Sequence, residues 1–184
     1  MTMAQLQLAR LRAALTRFSR GRGGSTAVEL AVLAMPVLGL LFGIVELGMI
    51  YLISTTLDNA TTDAARQIRT GQLQTAGGAT ATSFGTVVCN EMSWLGTNCA
   101  ANLSVDVRTY STFSSTSIAE PITNGQFSSG SLVFQMGGPG NIVLVRTFYP
   151  WTIVTPFLDG SVANLSNGKM LIESATTFRN EPYS

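Results

Sequence analysis

From Leu30 to Ile53 the chain is apolar or small at nearly every position, and Glu46 is the one charged interruption. Crossing a hydrocarbon core of about 30 Å takes about 20 apolar residues in a helix, so this run is long enough to span a bilayer. Beyond it, Leu57, Ala60, Ala64, Ala65 and Ile68 recur at three- and four-residue steps, the period of an amphipathic helix. Arg66 and Arg69 suit the negative end of the helix dipole, and Gly71 supplies a stop. The pattern predicts one continuous helix over about residues 27–70, first apolar on all sides and then on one stripe. The period then changes to two. Val105 and Val107 alternate with Asp106 and Arg108 in 103–110, and β-branched or apolar runs follow at 132–136, 141–149, 151–157 and 170–179. Gly137-Gly138-Pro139-Gly140, between 132–136 and 141–149, reads as a hairpin or tight loop. Segments 75–86 and 111–131, rich in Ser, Thr and Gly, read as exposed loops. The expected fold class is α+β: a long N-terminal transmembrane helix continuing into an amphipathic helix, packed against a small antiparallel β-sheet head.

Projected at about 100° per residue, Glu29, Pro36, Gly39, Gly43 and Glu46 lie within about 100° of arc on one helix face. Gly39-x-x-x-Gly43 permits close helix contact. An ionised acid facing lipid costs about 2–3 kcal/mol on insertion scales, so the two carboxylates predict a protein partner for this face. The alternative for Glu46 is a position near enough to the outer surface to stay hydrated.

The charges fix an orientation. Residues 1–24 hold Arg10, Arg12, Arg17, Arg20 and Arg22 and no acid, whereas the rest of the chain has six cations against ten acids. Positive-inside bias puts the N-terminus in the cytoplasm and everything after Ile53 outside. A nucleic-acid binder would carry its basic residues on the folded domain, so nucleic acid is not an expected partner. A cleaved secretory signal would need a shorter apolar region and small residues at its exit, where this chain has Leu57-Asp58-Asn59-Ala60. Cys89 and Cys99, the only cysteines, fall in the outer part. Without histidine they are too few ligands for zinc. They predict a local disulfide in an oxidising compartment, the alternative being two buried free thiols.

Enzymatic function is not expected. The chain has no histidine and one lysine, Lys169, and carries neither a Gly-x-Ser-x-Gly elbow nor a phosphate-binding loop. Asp106, Glu120, Asp159 and Glu173 read as solvated strand-face and loop acids. No cofactor and no metal are expected.

Several of these features together resemble the TadE-like family, the pseudopilin-like proteins of tight-adherence (Tad) pilus assembly. The resemblance is carried by the basic leader, Gly24 with Val28-Glu29, the apolar run with Pro36, Phe42-Gly43-Ile44-Val45-Glu46-Leu47-Gly48, and then Asn59-Ala60 and Ala64-Ala65-Arg66. It implies cutting by a prepilin peptidase between Gly24 and Ser25, which makes Glu29 the fifth residue of the mature chain. Together with the shared helix face projected above, this makes Glu29, Gly39, Gly43 and Glu46 the expected assembly residues. The implied partners are other pilin-like subunits, inner-membrane platform proteins and the lipid bilayer. The domain organisation then reads as leader 1–24, helix 25–70 and periplasmic α+β head 71–184, anchored in a bacterial inner membrane. A large head and the extra acid Glu46 favour a minor pseudopilin or assembly factor of a Tad-type (type IVc) machine. The competing reading is an uncleaved bitopic envelope protein whose outer domain binds a ligand or partner.

Overall fold

The computed structural model describes residues 24–116, 120–155 and 157–183. Residues 1–23, and with them almost all of the expected leader, lie outside the described residues. Two compact units meet within the long helix, between Ile44 and Val45.

Helix α1 spans Gly24–Arg69 without interruption, with Pro36 inside it. Its outer half belongs to the second unit. There Ile50, Ile53, Leu57, Ala60, Ala64 and Ile68 are buried at three- and four-residue steps, the stripe the sequence predicts. The helix ends where Gly71 turns left-handed at φ 78°, a backbone state that glycine enters without a Cβ clash. The Tyr183 ring packs against this glycine, where any Cβ would collide with it. Beside it, the Glu181 amide donates to the Arg69 carbonyl at 2.8 Å and the two side chains pair at 2.9 Å. The C-terminal tail thus closes the exposed end of α1.

The sheet has strands β1 (Ser104–Tyr110), β4 (Ile142–Thr152) and β5 (Lys169–Arg179), in the order β1-β4-β5 and antiparallel throughout. A separate two-residue hairpin pairs β2 (Ile122–Thr123) with β3 (Gln126–Phe127). The register sets Val107 opposite Val145 and Val145 opposite Thr176, so residues two apart share a face. One face presents Val105, Val107, Val143, Val145, Tyr149 and Ile172, and these form a single core with the α1 stripe. Two polar pairs cross this interface: Thr61 and Thr147 share a buried hydrogen bond of 2.6 Å, and Ser174 Oγ donates to Asp58 at 2.8 Å. The opposite face carries Phe148 and Leu171, covered by Leu165, Ile122, Phe127 and Leu132.

Three sequence expectations need correction. Part of the expected loop 75–86 is helical: after the short α2 (Gln72–Ala76), helix α3 runs Ala81–Glu91. A Thr80–Ser83 capping box starts it, and it buries Phe84 and Val88 four residues apart on one face. Residues 132–136 do not form a hairpin with β4. Val133 and Gln135 instead bond to both backbone groups of Val107, a parallel bridge on the free edge of β1. The run 151–157 is no separate strand either, since Trp151 and Thr152 end β4 and the chain then leaves the sheet. The Cys89–Cys99 disulfide is present and joins α3 to α4 (Thr97–Asn102), with the Cα atoms 5.6 Å apart.

Candidate assembly site on the long helix

Glu46 lies on the second unit's stretch of α1 and is 5% exposed. Its carboxylate receives four hydrogen bonds. Trp151 Nε1 donates to Oε1 at 2.8 Å; the amides of Val154 and Thr155 donate to Oε2 at 3.1 and 3.2 Å, and Thr155 Oγ1 donates to the same oxygen at 3.1 Å. All four donors come from the end of β4 and the turn after it. Four oriented N–H and O–H donors thus take the place of water around this carboxylate.

For a carboxylate in an apolar run the sequence expects another polypeptide or hydration near the outer surface. Here its company comes from more than 100 residues further along its own chain. Of the other residues on that stripe, Gly43 is buried, Gly39 is half-buried and Glu29 is exposed, and all three belong to the first unit. Gly24 and Ser25, the expected cleavage pair, are the first two residues of α1.

A second charged cluster lies within the head. Asp106, read from sequence as a solvated acid, is fully buried. It accepts from Arg108 Nε at 3.1 and 2.9 Å, from Arg146 Nη2 at 2.6 Å and from the Val133 amide at 2.9 Å. Arg146 is itself 2% exposed, lies over the Phe148 ring at 5.2 Å and has Glu173 at 3.8 Å. Burial pushes the Asp106 pKa up, but the hydrogen bonds from Arg108, Val133 and Arg146 outweigh it and hold the carboxyl below its ordinary value. Burial also raises the Glu173 pKa, and Arg146 offsets this only in part. The cluster pins residues 131–135 to β1, since Arg108 Nη2 also donates to the Ser131 carbonyl at 2.6 Å. Its geometry is that of a register lock. Among the described residues, no group of three or more His, Cys, Asp or Glu side chains is placed to hold a metal ion.

The class defined by these features is an α+β chain with a single described helix long and apolar enough to cross a membrane and an acid of that helix bonded into the head. Residues 24–66 match the TadE-like protein family, a family associated with Tad pilus assembly. The match covers nearly all of α1, with Glu29 and Glu46, and bears out the resemblance read from the sequence. No curated protein and no solved structure matched the chain.

Proposed function

We propose that this protein is a membrane-anchored minor pseudopilin or assembly factor of a Tad-type pilus or secretion machine. The observation that carries the reading is the TadE-like match over residues 24–66, laid on a helix whose most apolar window is only 6% buried. A core helix of a soluble protein would be mostly covered. In this reading α1 crosses the inner membrane with the N-terminus in the cytoplasm and the head in the periplasm, and residues 1–24 are removed by a prepilin peptidase. The mature amine at Ser25 and the nearby Glu29 then supply opposite charges for pairing between neighbouring subunits in low dielectric. Gly39, half-buried on the same face as Glu29, gives other pilin-like subunits or platform proteins a small-residue surface for close helix contact. The role is structural rather than catalytic.

Co-expression with a prepilin peptidase tests the reading. The expected product begins at Ser25, and N-terminal sequencing that still finds residues 1–24 overturns processing. One observation favours a second reading, an uncleaved bitopic envelope protein. Because Glu46 is satisfied inside its own chain, that acid does not require a second helix, and the span can serve as an anchor alone. The state of the N-terminus separates the two.

A further inference from the structure

We infer that the base of the head is itself a lipid-binding surface, with the turn after β4 seated in the outer leaflet of the bilayer through Val154 and Phe157. The inference rests on the membrane-spanning reading of α1 and adds to it a second point of membrane contact.

Depth is the first argument. About 20 residues of helix cross the hydrocarbon core, so a span that begins between Thr26 and Glu29 leaves the core at about residue 45–49. Glu46 is therefore at the outer boundary, and the apolar run continues to Ile53, about 10 Å further along the axis at 1.5 Å per residue. The amides of Val154 and Thr155 are one hydrogen bond from Glu46, so the turn that carries them is held at the same depth.

Chemistry is the second. Val154 is 75% exposed and Phe157 58%, while on α1 Leu47, next to Glu46, is 50% exposed and Tyr51, about 7 Å further along the axis, is 72% exposed. In water this would be an unsupported apolar surface on two separate elements. Lys169, the chain's single lysine, lines an open cleft together with Trp151 and Val154. An indole and a cation beside the exposed Val154 side chain suit a membrane interface, where acyl chains meet phosphates. A lipid surface fits this place because the turn is bonded to Glu46, at the depth where α1 leaves the hydrocarbon core, and shares its cleft with a cation able to meet phosphate. Glu46 is then more than a buried acid: it holds a membrane-seated turn to the span.

The test uses the full-length chain in vesicles of phosphatidylethanolamine and phosphatidylglycerol. A photoreactive benzophenone amino acid is placed in turn at Leu41, Val154, Phe157 and Phe113. Phe113 is the control, being 56% exposed but just past the end of β1 whose Tyr110 pairs with Ile142, the far end of β4 from Trp151. After irradiation, intact mass should show a lipid adduct at 41, 154 and 157 and none at 113. An adduct at 41 without one at 154 or 157 overturns the inference and leaves the membrane anchor standing. Absence at 41 overturns the anchor and the inference together. Crosslinking of 154 and 157 to a second protein chain instead of lipid assigns the surface to a subunit and also overturns it.

Discussion

Replacing Asp106 by alanine is expected to cost the head about 3–5 kcal/mol, the usual consequence of stranding a buried charge by removing its partner. Arg146 would remain 2% exposed with its strongest acceptor gone, and Arg108 and the Val133 amide would lose theirs. Denaturant unfolding of the disulfide-intact chain, followed by tryptophan fluorescence, measures the loss. A change below about 0.5 kcal/mol, the usual range for a surface substitution, would mean that the cluster does not lock the register. Its pH dependence has a definite sign. The folded pKa of Asp106 is lowered from its ordinary 3.8. The stability it contributes is therefore fully present above that ordinary value and lost as pH falls through the depressed one. Glu173 works in the opposite direction. Its folded pKa is raised above 4.5, so its contribution is present below 4.5 and lost as pH rises through the raised value. The wild-type head should hold its stability through mild acid and lose it only on strong acidification. Asp106→Asn should flatten the strongly acidic limb.

The second large effect is expected at Glu46. Glu46→Ala removes the acceptor for a tryptophan N–H, two backbone amides and a hydroxyl. Charge-assisted hydrogen bonds contribute more than neutral ones, and donors left unsatisfied add to the cost. A local loss of about 2–3 kcal/mol should raise the exchange rates of the Val154 and Thr155 amides by about 30- to 150-fold. Amides in the middle of β4, such as Val145, should keep their protection. Hydrogen exchange read by mass spectrometry on the bilayer-inserted chain makes the comparison. Unchanged protection at 154 and 155 would show that Glu46 does not hold the turn.

How much of this was legible in the sequence differs from element to element. The outer half of α1 was readable because Leu57, Ala60, Ala64, Ala65 and Ile68 keep helical spacing against one sheet face. Strand β1 was readable from the alternation of Val105 and Val107 with Asp106 and Arg108, and β4 and β5 from their β-branched and apolar runs, β4 being buried on both faces. Helix α3 was not: its small and hydroxylated residues resemble a loop, and only the Thr80–Ser83 cap and the Phe84–Val88 pair mark it as helical. Residues 132–136 were paired with the wrong neighbour because closeness in sequence suggested a hairpin, whereas the backbone bonds of Val107 were available on the other edge. The buried charges show the limit most clearly. The sequence says that an acid in an apolar stretch needs partners, but nothing local points from Glu46 to Thr155, 109 residues away, or from Asp106 to Arg146, 40 residues away. Spacing alone therefore points the first towards another subunit or the membrane surface, and the second towards solvent. Trp151 was the available clue, since an indole N–H at the end of a buried strand needs an acceptor.

The assembly reading is tested most directly by the surface of the host cell. A strain lacking this reading frame, grown under conditions where the parent carries Tad-type pili, should show none by electron microscopy, and the full-length chain supplied in trans should restore them. Pili of normal number and length in the deleted strain would contradict the account.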